Sequence, residues 1–398
     1  MNIKSSIPSN IGIILSSIPI LFSQKLVADY GLTLLVMFSF FIGLFVIFIQ
    51  SLQFGFNVMR RINLIPILCV LWLLVILIVD FADGGVFLKG YKIALPIIIM
   101  LICHDLAKSL NVESALKAIW MMLLIYIIIT FISHLLGNTR VVNVAGLYSR
   151  MDIAGSVTGH AVLCCIFIMF SISSVIANKL FLGKKIVYVS SLIALYMMFQ
   201  TGNRQSILIL LVFSLIAVYQ ASNKKMALTY AVALFFSGGA LFSLYTIFID
   251  DGLFFRLFEL DPERLSSGRV EAMSYWLSNM DNWVIGHGLG YIANVSQNVW
   301  GELGVHQNFP HNEFIRFFIE GGVLGFLLIT VLIAFFLLGC YDVIRNDHNK
   351  LRVLFSASLF SIVIVMSLFD NLFFDMYKSN FYILLGSIIW ADFRNKGS

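Results

Sequence analysis

The sequence is poor in charged residues, in proline and in cysteine. Only 12% of its 398 residues are charged and six are proline, whereas about 25% of the residues of a soluble domain are charged. A water-soluble globular protein is therefore excluded. A basic patch with interleaved aromatic residues is also missing, which argues against nucleic-acid binding. The cysteines all fall inside apolar runs, so neither a disulfide framework nor a paired-cysteine zinc site is expected; they are Cys69, Cys103, Cys164, Cys165 and Cys340.

Apolar residues dominate instead. They make up 60% of the chain, and the mean hydropathy is +0.94. A helix that spans the hydrocarbon core needs about 20 apolar residues. The runs are continuous rather than alternating, which favours helices over a barrel. About twelve such runs are present, of which the first, fourth and last are short: 9–23, 31–52, 62–79, 91–103, 115–134, 157–177, 186–200, 205–220, 226–249, 313–340, 352–369 and 380–393.

These runs predict an all-α polytopic membrane protein with about twelve transmembrane helices. The chain divides into helices 1–9 over residues 1–249, a long hydrophilic loop over 250–312, and helices 10–12 over 313–398. Within the loop, Ser266 and Ser267 precede an apolar pattern at helical spacing, which predicts a short amphipathic helix that begins near Arg269. The first apolar run lacks a strong basic flank and a small-residue cleavage site, so no cleavable signal is expected.

Lysine and arginine predict the orientation in the membrane. With an even number of helices both termini share one side, and that side carries 15 of the 26 basic residues but 5 of the 21 acidic ones. The positive-inside rule then makes the termini cytoplasmic and the 250–312 loop periplasmic. Seven of the eleven basic residues on the outer side are arginines, and a guanidinium can grip phosphate at two points.

Two of these arginines are placed where they could bind an anion. Arg204 follows Thr201-Gly202-Asn203 and opens a predicted helix at the outer surface. A snorkelling interfacial arginine would give the same pattern. Arg269 lies in the first turn of its helix, where a cation opposes the helix dipole unless both hold one anion. An unpaired surface arginine is the alternative there.

A histidine lies where the long loop re-enters an apolar helix. Pro310 suits the first turn of a helix, which puts His311 and Asn312 at the outer boundary of the run 313–340. An imidazole there could act as general base toward a hydroxyl while a neighbour orients its other nitrogen; a structural histidine is the alternative. The spacing of His287, His306 and His311 does not favour a metal site.

The run from Gly286 to Gly290 alternates glycine with other residues. This pattern suits a dinucleotide site only within a strand–turn–helix unit, and no such unit is predicted here. The glycines therefore indicate a tight loop.

The order of these motifs resembles the O-antigen polymerase and O-antigen ligase superfamily of bacterial inner membranes. Residues 190–340 carry the resemblance through Thr-Gly-Asn-Arg at 201–204, Ser-Gly-Arg at 267–269 with Trp276, Gly-x-Gly-x-Gly at 286–290, and Pro-His-Asn-Glu-Phe at 310–314 followed by Glu-Gly-Gly-Val-Leu-Gly at 320–325. The turn reads Gly-Asn-Arg where Gly-Ser-Arg is more usual in the family.

The resemblance implies a membrane glycosyltransferase with a GT-C-like helical bundle that needs no metal and no other cofactor. Its donor would be an oligosaccharide linked to undecaprenyl pyrophosphate. By motif, Arg204 and Arg269 would hold the pyrophosphate and His311 would activate the acceptor hydroxyl. Arg150, Asn312 and Arg316 are further candidates for substrate binding. The implied partners are this lipid-linked substrate, membrane lipids and a chain-length regulator.

The function predicted from these observations is a polymerase that transfers the growing lipid-linked glycan onto a new lipid-linked repeat unit at the periplasmic face. A ligase that transfers the finished glycan to lipid A-core is the close alternative, because both would share the donor. A lipid-linked oligosaccharide flippase or another secondary transporter is a further alternative. Against transport, no half of the sequence is repeated and the ionisable residues gather at the outer edge instead of the midplane.

Overall fold

A computed structural model describes the helical core of the chain. The described residues are 11–18, 33–53, 112–137, 140–144, 148–152, 157–179, 181–220, 269–280, 282–288, 291–292, 311–370, 372 and 376–396. They form ten α-helices and one β-hairpin: α1 (Ile11–Ser17), α2 (Thr33–Gln53), α3 (Val112–Leu135), β1 (Arg140–Val144), β2 (Tyr148–Asp152), α4 (Val157–Ile176), α5 (Lys184–Gln200), α6 (Arg204–Gln220), α7 (Arg269–Ser278), α8 (Glu313–Asn346), α9 (Lys350–Phe369) and α10 (Met376–Lys396).

The helical membrane fold is confirmed in its class. Among the described residues, four helices are long and apolar enough to cross a membrane, namely α3, Thr158–Ile176 within α4, α8 and α9. The apolar helix α6 and the segment Phe38–Ile47 of α2 are shorter. The predicted spans 62–79, 91–103 and 226–249 lie outside the described residues, so the number twelve stays a prediction.

One element of the fold was not predicted, a short β-hairpin between α3 and α4. β1 and β2 pair antiparallel, with Val142 opposite Arg150. The β1 segment reads Arg-Val-Val-Asn-Val, and β-branched residues favour strands over helices. The segment between α3 and α4 is too short and too polar to form a transmembrane helix, and β1 and β2 within it form a hairpin.

Helix α4 occupies the centre of the bundle. It packs against α3, α5, α6 and α9, and each side chain from Ala161 to Phe170 is at most 2% exposed. A helix that is apolar all round is stable when neighbours surround it. By contrast, α3 presents Ile125, Ile128, Ile129 and Ile132 on its outer surface, as expected for a helix with one face toward lipid.

Ion pairs connect the helices at the end of the bundle that is opposite to His311. Lys179 Nζ lies 2.5 Å from Glu113 Oε2, which joins the segment after α4 to the start of α3. Arg352 binds both Asp347 and Asp392 at 2.5 Å. These contacts fix the positions of α8, α9 and α10 relative to one another, and with them the far ends of α8 and α9 that form the candidate site.

Helix α8 is longer than predicted and is broken. It continues to Asn346 rather than 340, because residues 341–346 contain no glycine or proline and Arg345 is favourable at the negative end of the helix dipole. Inside it, Gly322 has φ 61° and ψ −158°, a conformation that is open only to glycine. The helix therefore changes course at Gly322, close to the candidate site.

Candidate functional site

The turn before α6 places Arg204 at the first position of that helix. Gly202 takes φ 59°, which lets the chain reverse at once after α5. Asn203 caps α6, its Oδ1 accepting a hydrogen bond from Ser206 N at 3.2 Å. Thr201 Oγ1 accepts from Asn203 N at 3.3 Å. Serine and asparagine are equally good N-caps. Asn203 can therefore cap α6 as well as the serine that is more usual at this position in the resembling family.

The start of α8 is held by Asn312. Its Oδ1 accepts from Ile315 N at 3.0 Å, as an N-cap does, and its Nδ2 donates to Leu368 O at 2.9 Å. His311 precedes this cap with φ 45°, a left-handed conformation that costs a non-glycine residue roughly 1–3 kcal/mol. The contacts of Asn312 and of the histidine itself hold the backbone in this conformation.

The C-terminal end of α9 brings the two segments together. Gln205, next to Arg204, donates from Nε2 to Phe369 O. Asn312 binds Leu368 O, and His311 Nδ1 lies 3.3 Å from Asp370 Oδ1. Three consecutive residues of α9 and its cap thus receive contacts from both sides. Residues that are more than a hundred positions apart in sequence meet at one end of the bundle.

The pair of His311 and Asp370 is accessible. The histidine side chain is 25% exposed and that of Asp370 is 18% exposed. A carboxylate at Nδ1 orients the ring and leaves Nε2 as the nitrogen that can take a proton. Sequence reasoning missed Asp370. Its one local signal was that it is the first charged residue after the apolar run 352–369, at the same boundary as His311.

Arg316 lies between two buried carboxylates of its own helix. Its guanidinium nitrogens are 3.4 Å from Glu313 Oε1 and 3.6 Å from Glu320 Oε2. The carboxylates are almost fully buried and the arginine side chain is 12% exposed. These spacings of three and four residues put all three side chains on one face of α8. Its guanidinium carbon also lies 5.7 Å from the centroid of the Phe317 ring. Substrate binding by Arg316 stays a prediction.

Residues 283–288, which include the first two glycines of the run, pack against the break in α8. His287 N donates to Ile319 O at 3.1 Å, Gly288 N donates to Glu320 O at 2.9 Å, and Val323 N donates to Trp283 O at 2.8 Å. The break at Gly322 frees these backbone groups from the helix, and the loop satisfies them. The structure thus agrees with the tight loop that the glycine spacing indicated.

The histidines do not gather into a metal site in the part of the chain that the structure describes. His287 stacks on Tyr291 with centroids 4.3 Å apart, and its Nε2 contacts Asn279 O. Across the described ranges, no group of three or more His, Cys, Asp or Glu residues could hold a metal ion. His306 lies outside those ranges.

Two predicted site residues, Arg269 for the pyrophosphate and Arg150 for the substrate, are described by their backbone alone. The backbone of Arg269 begins α7, and that of Arg150 lies in β2 opposite Val142, but their side chains are outside the described part. The expectation that Arg204 and Arg269 approach within about 10 Å, on the order of one Debye length, stays a prediction.

The long apolar helices define a helical membrane protein. Its polar site lies at one end of the bundle, where α5 and α9 end and α6 and α8 begin. Residues 189–330 match the sequence model of the Wzy_C family, O-antigen ligase. The match confirms the resemblance to the O-antigen polymerase and ligase superfamily that the motif order predicted, and the matched segment includes Arg204, Arg269 and His311. No curated protein matches the chain.

Proposed function

We propose that this chain is an O-antigen polymerase that acts on glycans linked to undecaprenyl pyrophosphate. The observation that carries the proposal is the convergence at the end of α9. There, the segment with Arg204 and the segment with His311 contact adjacent residues, and Asp370 binds the Nδ1 side of the histidine. An anion-binding arginine beside an oriented base is the arrangement that transfer from a pyrophosphate leaving group requires.

In the proposed reaction, His311 Nε2 takes the proton from a hydroxyl of the new repeat unit. That oxygen attacks the anomeric carbon of the growing chain. The bond from this carbon to the phosphate oxygen breaks, and undecaprenyl pyrophosphate leaves with the electron pair. Arg204 and Arg269 stabilise the leaving pyrophosphate, and Asp370 stabilises the protonated imidazole. Arg150, Asn312 and Arg316 would contact the substrate. In the proposed reaction the two arginines, instead of a metal ion, stabilise the charge on the leaving pyrophosphate.

The proposal includes a place in the cell. The chain would lie in the inner membrane as a GT-C-like bundle of about twelve helices, with the 250–312 loop and the site on the periplasmic side and both termini in the cytoplasm. A chain-length regulator and membrane lipids would be its partners. The excess of lysine and arginine on the side of the termini supports this orientation.

A ligase is the second candidate, because the matching family is described as O-antigen ligase. A ligase would use the same donor and the same leaving group. It would differ in the acceptor, which would be lipid A-core instead of a lipid-linked repeat unit. Product analysis separates the two.

Arg204→Lys is expected to reduce product formation about 100- to 1,000-fold, as the loss of one charge-stabilising donor does. An ammonium group cannot reproduce the two-point grip of a guanidinium on phosphate. The effect is measured on the lipopolysaccharide of cells that lack the gene and are complemented with the variant. Lipid A-core with at most one repeat unit identifies the polymerase, whereas bare lipid A-core with long chains left on the carrier identifies the ligase.

The matched control is Arg345→Lys, an exposed arginine in the last turn of α8 at the opposite end of the bundle. It should give the wild-type ladder at the wild-type level of expression. Normal product from Arg204→Lys would exclude Arg204 from the mechanism, whether the protein is a polymerase or a ligase.

Cysteine labelling tests the orientation. In a cysteine-free variant, Ser274→Cys on the exposed face of α7 should react with an impermeant maleimide in intact spheroplasts. Lys185→Cys, exposed at the start of α5, should react only after permeabilisation. The reverse labelling pattern would overturn the proposed topology and would move the site to the cytoplasm.

A further inference from the structure

Three buried polar atoms around the Arg204 turn have no hydrogen-bond partner among the described residues. They are Gln200 Oε1, Gln205 Oε1 and Ser206 Oγ. The residues are 1%, 8% and 0% exposed. Gln200 is the last residue of α5, and the other two are in the first turn of α6, so the four-residue turn with Arg204 joins them.

Such atoms are uncommon and costly. Leaving a buried donor or acceptor unsatisfied costs about 1–3 kcal/mol, and native structures contain only a few such groups per 100 residues. Thr201 and Asn203, in the same turn, have their side chains hydrogen-bonded. Poor local packing therefore does not explain the three atoms, because Thr201 and Asn203 lie between them in sequence.

The chemistry of these atoms selects the ligand. Gln205 Nε2 donates to Phe369 O, and a flipped amide would instead set its oxygen against that carbonyl oxygen, so the orientation of Gln205 is determined. Both glutamine atoms are amide oxygens, which accept hydrogen bonds and cannot donate. An ionised pyrophosphate also offers only acceptors. A group with O–H or N–H donors is needed to satisfy them.

We infer that Gln200, Gln205 and Ser206 form a subsite for the sugar that is attached directly to the carrier pyrophosphate. The inference rests on the proposed function, in which Arg204 binds that pyrophosphate. The first sugar is joined to it through a single oxygen, so the sugar has to lie beside Arg204. Its hydroxyl or acetamido N–H groups donate to the two glutamine oxygens, and Ser206 Oγ can donate or accept.

The test uses purified protein in nanodiscs and two probes, undecaprenyl pyrophosphate alone and the same lipid carrying one N-acetylglucosamine. Wild type should bind the sugar-bearing probe more tightly. Gln200→Met should reduce the ratio of the two affinities about 3- to 10-fold, the loss of one hydrogen bond of typical strength. Its affinity for the bare carrier should not change. If Gln200→Met is not produced in folded form, Gln200→Asn withdraws the same oxygen and keeps an amide.

Gln205→Met is compared with Gln220→Met, its matched control. Gln220 lies at the other end of α6 and donates from Nε2 to Ile344 O at 2.9 Å, so each glutamine ties α6 to a backbone carbonyl of a neighbouring helix. Both variants lose that tie, but only Gln205→Met should lose the preference for the sugar-bearing probe. An unchanged affinity ratio in Gln205→Met or in the Gln200 variant overturns the inference, as does a wild-type protein without the preference.

Arg204→Lys separates this inference from the proposed function. It should weaken binding of both probes by the same factor and leave the affinity ratio unchanged. Unaltered binding of the bare carrier by Arg204→Lys contradicts the pyrophosphate site, whereas an unaltered ratio in the glutamine variants contradicts the sugar subsite alone.

Discussion

His311→Ala should abolish long-chain product while the protein is still made and inserted at the wild-type level. Loss of a general base typically lowers the rate about 100- to 10,000-fold. The substitution leaves the start of α8 intact, because Asn312 and not His311 provides the N-cap and the contact to Leu368 O. Alanine at a position with φ 45° does carry some backbone strain, so the amount and melting temperature of the protein are measured with the lipopolysaccharide ladder.

Two further variants make this result specific to the imidazole. Asp370→Asn removes the charge that orients and stabilises the ring, and should lower the rate at least about tenfold, as is typical when a supporting carboxylate is lost. His348→Ala removes an exposed histidine at the opposite end of the bundle and should behave as wild type. A normal ladder from His311→Ala would exclude the histidine from the reaction.

Gly322→Ala should disrupt the site end of the protein. A Cβ atom there would lie 2.2 Å from Val284 C and O, and the residue has φ 61°. Backbone atoms cannot move away as the end of a side chain does, and the conformation itself costs alanine roughly 1–3 kcal/mol. We expect a loss of more than about 3 kcal/mol of stability, a strain effect at the upper end of those known for single substitutions. Thermal unfolding of the purified protein and the amount of polymer in cells both report it.

The adjacent glycine provides the control. A Cβ at Gly321 would meet no atom within 4 Å, and its φ is not positive. Gly321→Ala should therefore keep the wild-type melting temperature and ladder. Equal tolerance of both substitutions would show that the 283–288 loop does not dock on the break in α8.

Parts of the candidate site were predictable because they depend on neighbours in sequence. Asn312 was expected at a helix start, and it is the N-cap of α8. The turn at Thr201–Arg204 was expected between two helices, and Gly202 and Asn203 form it. Caps and tight turns are made within four or five residues, so local sequence determines them.

Other parts depend on residues that are far apart in the chain. Asp370 and Gln205 contact partners 59 and 164 residues away, and no local pattern identifies such partners. The break in α8 was missed for the same reason. Glycine alone permits φ 61° together with ψ −158°, but the loop at 283–288 is what satisfies the freed backbone groups and so makes the break stable. The hairpin β1–β2 was missed because its strands lie in a short connection that the hydropathy pattern treats as a gap.

The helical membrane fold follows from the apolar runs of the sequence. A bilayer leaves a long apolar segment no alternative to the helix, since every backbone group has to be bonded within it. The sequence also determined the family resemblance, through the order of its short motifs. Which polar residues share a site depends on how the helices pack. Packing of α4, α6, α8 and α9 brings the end of α9 between Gln205 and Asn312, and the contacts at Leu368, Phe369 and Asp370 exist only once these helices have assembled.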